Sequence, residues 1–175
     1  RLDPEQVDQP ADAVVARAAG DSLAQMADTA VIDEIVARYE AATTDAEIES
    51  LARLVSNIEC SQATNALLSL AGDVTDAVQD SLQQAAIDAL SNIGDAQCVS
   101  YLLRRLEATT PGEGTSVYNA ITQISSQEGY AQLLYAAAGN KEVSAEYGQT
   151  AAIEALANYP CEETSALLER LIEEG

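Results

Sequence analysis

The sequence predicts an all-α fold, an α-solenoid of about five stacked antiparallel helix pairs, and two patterns support this prediction. Apolar residues recur at helical spacing along most of the 175 residues, and one block of sequence returns at a nearly constant interval. The chain has no Phe or Trp and no run of alternating β-branched residues, so a β-sheet is not expected. Because one helix pair cannot bury its own apolar face, the copies must stack into a continuous core.

The clearest copy of the block runs from Gln83 to Ala108. Its two helices each place four apolar residues on one face: Ala86, Ile87, Leu90 and Ile93, then Val99, Leu102, Leu103 and Leu106. Gly94 and Asp95 lie between these groups and are expected to end the first helix and begin the second.

A pair of apolar residues in each second helix, which we call the doublet, measures the interval between copies. The doublets are Ile35-Val36, Leu67-Leu68, Leu102-Leu103, Leu133-Leu134 and Leu167-Leu168, and successive ones lie 32, 35, 31 and 34 residues apart. A residue about nine positions before each doublet is predicted to anchor the turn inside the pair: Met26, Ile58, Ile93, Ile124 and Tyr159.

The ends of the elements follow from capping and breaking residues. Residues 1–11 contain two prolines and three acidic residues and are predicted to form a lead-in or linker, with the solenoid domain spanning residues 12–175. Asp12 is predicted to cap the first helix, which ends at Gly20. Capping boxes at 44–47 and 81–84, each a hydroxyl followed three residues later by Glu or Gln, predict two later helix starts.

The formal net charge of -21 restricts the partners of this chain. A surface with this much negative charge repels the phosphates of nucleic acids and anionic lipid head groups. In addition, no stretch of the sequence approaches the roughly 20 consecutive apolar residues that a membrane helix requires. A protein or peptide partner, in particular a basic one, is expected instead. The chain begins at Arg1 without Met and has three cysteines, which favours an exported or periplasmic location over a cytoplasmic one.

One segment carries a resemblance to a known family. AAIDALSNIGDAQCVSYLLRRL, echoed by AAIEALANYPCEETSALLERL, resembles the short HEAT-like repeat of the phycobilisome-lyase type, with an Ala-rich first helix, a Gly-Asp turn and a Val-x-x-Leu-Leu second helix. The resemblance implies a right-handed α-α superhelix whose second helices line a concave wall. Only Asp95 matches the turn aspartate of that family, so an Asp ladder between repeats is not expected.

An amide residue precedes the inner turn of every copy: Gln25, Asn57, Asn92, Gln123 and Asn158. These amides are expected to bind free carbonyls at the helix C-termini, and a ligand-binding amide ladder is the alternative.

No catalytic pattern is present in the sequence. The chain has no His, Cys-x-x-Cys, phosphate-binding Gly loop or Gly-x-Ser-x-Gly elbow, so we expect no enzymatic activity and no cofactor. Asp73, Asp76 and Asp80 lack the spacing of an EF-hand, and a helix-capping loop is expected there in preference to a Ca²⁺ site.

The cysteines all fall near the start of a second helix. Cys60 and Cys98 belong to adjacent copies whose helix axes should lie about 9 to 10 Å apart. A disulfide between them requires Cα atoms within about 7 Å, and buried free thiols are the alternative. Cys161 is expected to remain free or to bridge to another chain.

The predicted binding surface is the concave face of the second helices, at positions around the doublets. The candidate residues are Glu34, Arg38, Tyr101, Arg104, Arg105, Gln132, Tyr135 and Arg170, with Glu169 beside the last. Tyr and Arg often anchor protein interfaces, although Arg near a helix C-terminus is also favoured by the helix dipole and by local Glu partners.

The predicted function is therefore a protein-protein interaction or scaffold module. Two alternatives stay open. The resemblance implies a role as one subunit of a chromophore (bilin) lyase, while self-association as a structural or assembly component would use the same wall.

Overall fold

The computed structural model describes residues 18–20, 22–75, 80–109, 114–139 and 146–174. The predicted lead-in and the capping residue Asp12 lie outside these ranges, as does Asp76. Across the part of the chain that is described, the fold is all-helical and contains no strand, as the composition and periodicity predict.

The helices come in pairs joined by short turns. Helical residues at 18–20 and 22–25 precede α1, Thr29–Ala41. The next two pairs are α2, Asp45–Ser56, with α3, Thr64–Ala71, and α4, Ser81–Ile93, with α5, Ala96–Ala108. The last two are α6, Thr115–Thr122, with α7, Tyr130–Ala137, and α8, Glu146–Ala155, with α9, Glu162–Glu174. Short 3-10 turns at Ser61–Ala63 and Leu156–Asn158 adjoin α3 and α8.

The pairs stack in two layers. The first helices contact one another in order, α2 with α4, α4 with α6 and α6 with α8, and the second helices do so from α1 to α3, α5 and α7. We call these the first-helix layer and the second-helix layer. Such nearest-neighbour stacking is the arrangement of an α-solenoid, and the prediction of an all-α helical repeat is confirmed.

The core follows the doublets. The first residue of every doublet is buried: Ile35, Leu67, Leu102, Leu133 and Leu167. Four of the five predicted turn anchors are buried as well: Ile58, Ile93, Ile124 and Tyr159. The prediction for Met26 is wrong, because its side chain is 69% exposed and the next residue, Ala27, is buried in its place.

The turn of the central pair depends on two adjacent residues. Gly94 has φ 55°, in the left-handed region, and its N–H donates to the Leu90 carbonyl at 2.9 Å. Asp95 then caps α5 by accepting hydrogen bonds from the N–H groups of Gln97 and Cys98, both at 2.8 Å. The same carboxylate accepts a bond from the Thr64 hydroxyl of the preceding repeat at 3.1 Å, so this cap also joins two repeats.

One of the two predicted capping boxes is present. The Thr44 hydroxyl accepts from the Glu47 N–H at 3.3 Å, and the Glu47 carboxylate accepts from the Thr43 N–H at 3.3 Å. The box starting at Ser81 is wrong, because the charged carboxylate of Asp80 is a stronger acceptor and caps α4. Ser81 instead hydrogen-bonds the hydroxyl of Tyr39 at 3.0 Å.

The predicted role of the amides is confirmed at two of the five positions. Asn92 donates to the Ser56 carbonyl at 2.7 Å, and Asn158 donates to the carbonyls of Thr122 and Ile124 at 2.9 and 3.0 Å. In both cases the acceptor is at the end of the first helix in the preceding repeat. These bonds therefore satisfy free helix carbonyls and tie neighbouring repeats together.

Candidate partner-binding wall

The second-helix wall is the face of α1, α3, α5, α7 and α9 that does not pack on the first-helix layer. The predicted site residues divide into three groups by burial. Five are exposed: Glu34, Arg38, Arg104, Tyr135 and Arg170. Gln132 is half-buried, while Tyr101 and Arg105 are buried.

The expectation that Tyr101 and Arg105 are available to a partner is wrong. Arg105 is 0% exposed and its Nη1 donates to the carbonyls of Ala71 at 2.8 Å and Asp73 at 3.0 Å. The Tyr101 hydroxyl donates to the Gly72 carbonyl at 2.9 Å. These two side chains therefore cap the C-terminal end of α3 and fill the groove between α3 and α5.

Arg104 and Asp73 are exposed residues next to the buried pair Tyr101 and Arg105. The Asp73 carboxylate is exposed and accepts bonds from the N–H and hydroxyl of Thr75. These two bonds lower its pKa, and the charges of Arg104 and Arg105 act in the same direction. Arg104 is exposed, and its Nε donates to the Ser100 carbonyl one turn earlier in α5 at 3.3 Å.

Glu34 and Arg38 form an ion pair at the amino-terminal end of the wall. The Arg38 Nε lies 2.8 Å from a Glu34 carboxylate oxygen, one helical turn away, and the two side chains are 69% and 63% exposed. Arg near the C-terminus of a helix is favoured by a local Glu partner, and for Arg38 that partner is Glu34. An exposed pair of this kind contributes little to stability.

A groove lies between α7 and α9, near the carboxyl-terminal end of the wall. It encloses about 420 Å³, and its apolar floor is formed by Leu134, Ala138, Ala166 and Leu167. Glu163 and Arg170 stand on one side and Tyr135, which is 61% exposed, stands on the other. The groove brings together two of the predicted residues, Tyr135 and Arg170.

Tyr130 fixes the position of α9 against α7. Its hydroxyl lies 3.1 Å from the Thr164 hydroxyl and 3.2 Å from the Cys161 Sγ, both in the first turn of α9 or at its cap. Its ring packs against that of Tyr159, with centroids 5.2 Å apart, and the Tyr159 hydroxyl donates to the Ser126 carbonyl at 2.8 Å. The α7/α9 groove therefore has walls that are held by hydrogen bonds before any partner arrives.

All three cysteines are free thiols, so the Cys60–Cys98 disulfide is not formed. Burial raises the pKa of the Cys98 thiol to about 12, and the nearby Asp95 carboxylate acts in the same direction. At Cys161 the hydrogen bonds from the side chains of Thr164 and Tyr130 and from backbone N–H groups lower the thiol pKa. Cys161 is exposed and is the more reactive of these two thiols.

The described residues contain no group of three or more Cys, Asp or Glu side chains that could hold a metal ion. Asp80 caps α4 through the N–H groups of Leu82 and Gln83, as expected of a helix-capping loop. Among the helices described, none combines the length and the apolar character needed to cross a membrane.

Sequence reasoning missed the small residues that leave the α7/α9 groove open. Ala138 and Ala166 line its floor, and neither belongs to a type that marks an interface on its own. The available signal was the position of Ala166, directly before the doublet Leu167-Leu168, where the central repeat has Tyr101.

Comparison with known proteins supports the assignment of the repeat. Neither the curated proteins nor the solved structures gave a match. A family model did: residues 82–108 match the PBS lyase HEAT-like repeat. This segment covers α4 and α5, the pair in which the Gly94-Asp95 turn and the Leu102-Leu103 doublet were recognised. The central helix pair of this solenoid is thus similar to the PBS lyase HEAT-like repeat.

Proposed function

We propose that this protein is a binding module without catalytic activity, which holds a protein or peptide partner on its second-helix wall. The observation that carries the proposal is the α7/α9 groove, where the exposed ring of Tyr135 stands beside an apolar floor of about 420 Å³. An exposed aromatic ring next to a pre-formed apolar cleft is the usual composition of an interface hot spot.

The rigidity of the wall supports the same proposal. Asn92 and Asn158 hold their repeats to the preceding ones, and Tyr130 holds α9 to α7. A partner that docks on such a surface pays little free energy for ordering it.

The electrostatics favour a basic partner. The chain has 29 acidic and 8 basic residues. The rim of the groove carries one residue of each sign, Glu163 and Arg170, so the preference comes from the charge of the chain as a whole. A surface of one sign increases the rate of encounter with partners of the opposite sign and repels acidic ones.

The test is an affinity capture with Tyr135→Ala beside the wild type, followed by purification of each retained protein and measurement of its Kd. Tyr147→Ala is the matched control, because Tyr147 is also exposed but lies on α8 in the first-helix layer. We expect Tyr135→Ala to weaken binding by about tenfold or more and Tyr147→Ala to leave it unchanged. Equal binding by all three proteins would contradict the proposal.

A second candidate function is that of one subunit of a bilin lyase, favoured by the match to the PBS lyase HEAT-like repeat. The match covers one helix pair, and the sequence has no His to serve as a general base. Mixing the protein with free bilin and an apoprotein tests this candidate. A change in the absorbance of the bilin would support it.

A structural role through self-association is the third candidate, since the same exposed Tyr135 could contact a second copy. Light scattering over a range of protein concentrations would reveal it as a rise in apparent mass, which Tyr135→Ala would abolish.

A further inference from the structure

The grooves between consecutive second helices are not alike, and one position in the repeat distinguishes them. This position directly precedes the doublet. In α5 it holds Tyr101, which is buried in the α3/α5 groove with its hydroxyl bonded to Gly72. In α7 it holds Gln132, half-buried, with its Oε1 shielded from solvent. A large side chain therefore occupies this position in both central repeats.

In α3 and α9 the same position holds alanine, and a groove is open beside each. Ala66 of α3 lines a groove of about 440 Å³ against α1, and Ala166 of α9 lines the α7/α9 groove. Two open grooves thus flank a stretch of the wall in which the corresponding space is filled.

The α1/α3 groove has an apolar floor and a polar rim. Ile32 and Val36 of α1 face Ala66 and Leu70 of α3 across the floor. The rim is formed by exposed polar side chains, of which one is charged: Thr29, Asp33, Asn65 and Ser69. The groove therefore suits an aliphatic side chain whose neighbours carry hydrogen-bond donors or positive charge.

The spacing of the two grooves fixes the length of a partner that reaches both. The groove between α1 and α3 and that between α7 and α9 are three helix spacings apart, about 25 to 30 Å at 8 to 10 Å per packed helix. An extended chain advances about 3.3 Å per residue, so two anchor side chains that fill both grooves are about eight residues apart.

The acidic side chains on the wall favour basic residues between the two anchors of the partner. Asp73 and Glu107 are exposed at the ends of α3 and α5, Asp33 and Glu163 lie on the rims, and two exposed cations, Arg104 and Arg170, lie among them. These four acidic side chains outnumber the two basic ones, in line with the net charge of -21. A basic chain that crosses the second helices gains favourable electrostatic interactions along its length.

Given the proposed binding function, we infer that the partner segment is an extended basic peptide that places two aliphatic side chains, about eight residues apart, in the α1/α3 and α7/α9 grooves. Tyr101 and Gln132 keep the space between these grooves filled, so the residues between the two anchors lie on the surface. The size of the residue before each doublet thereby determines which grooves are open to the anchor side chains of the peptide.

The test is selection from a random peptide display library of about 16 residues, long enough to reach both grooves, with the wild-type chain as bait. Enriched peptides are then measured by fluorescence anisotropy against Ala66→Tyr and Ala166→Tyr, which copy Tyr101 into the open grooves. Asn119→Tyr adds the same side chain to an exposed site on α6 in the first-helix layer and is the matched control. Circular dichroism melting confirms that each variant is folded.

We expect enriched peptides to be basic, with two aliphatic positions about eight residues apart. Each closed groove should weaken binding by about tenfold or more, while Asn119→Tyr should not change it. If Ala166→Tyr and Tyr135→Ala weaken binding but Ala66→Tyr does not, the two-anchor inference fails and the proposed function stands. If none of these variants weakens binding, or no peptide is enriched, both are overturned.

Discussion

Replacing Arg105 with alanine gives a sharp test of the structure. The sequence predicts that Arg105 binds a partner, but its side chain is buried and caps the end of α3. Arg105→Ala removes the hydrogen bonds from Nη1 to the Ala71 carbonyl at 2.8 Å, to the Asp73 carbonyl at 3.0 Å and to the Tyr101 hydroxyl. A hydrogen bond that involves a charged group contributes about 1.5 to 3 kcal/mol, so the two bonds to backbone carbonyls alone correspond to about 3 to 6 kcal/mol. Water that enters the vacated space re-solvates part of the carbonyls, and we expect a loss of about 2 to 4 kcal/mol.

Arg104→Ala is the matched control, because it removes the same chemical group from the same helix at an exposed site. Its cost should be within about 0.5 kcal/mol. The measurement is the free energy of unfolding from urea denaturation, with the melting temperature as a second readout, where Arg105→Ala should lose about 5 to 15 °C. Equal stability of Arg104→Ala and Arg105→Ala would refute the buried cap on α3.

Three further predictions concern packing and thiol chemistry. Leu102→Ala should lower the free energy of unfolding by about 2 to 5 kcal/mol, because Leu102 is 0% exposed; a change below about 1 kcal/mol in urea denaturation would place it outside the core. Gly129→Ala should cost about 1 to 3 kcal/mol in the same assay, because a Cβ there would overlap the Gly94 carbonyl oxygen of the neighbouring repeat, and a neutral result would contradict this close approach. Near pH 8, iodoacetamide should modify the exposed Cys161, whose lowered pKa increases its thiolate fraction, well before the buried Cys98, whose pKa is raised to about 12. Mass spectrometry of the native protein measures the order, and earlier modification of Cys98 would contradict its burial.

The architecture could be predicted from the sequence because it depends on a repeated pattern. The spacing of the doublets located the second helix of each pair. The burial of Leu102 and Leu133 follows from their position on the apolar face of these helices. The first copy is less regular, and there the pattern misplaced the anchor: Met26 is exposed and Ala27 is buried. A small residue that packs closely gives a weaker hydrophobic signal than a large one beside it.

The candidate wall could be predicted only in part, because exposure there depends on the adjacent repeat. Helical spacing places Arg104 and Arg105 one residue apart near the end of α5, and it cannot show that free carbonyls of α3 lie within reach of Arg105 alone. The cap of α4 is a similar case, because Ser81 fits the motif but Asp80 supplies the stronger acceptor. The open grooves beside Ala66 and Ala166 become visible only when consecutive repeats are compared in space.

The most direct test of the binding wall replaces Tyr135 with the photo-crosslinker p-benzoylphenylalanine and irradiates the protein in native lysate or secretome. The same replacement at Tyr147 reports on the first-helix layer. The account predicts a covalent adduct of defined mass at position 135, its absence at position 147, and its loss when Ala166→Tyr closes the α7/α9 groove. Adducts of equal yield at both positions, or an adduct at 135 that survives Ala166→Tyr, would contradict the claim that this groove binds the partner.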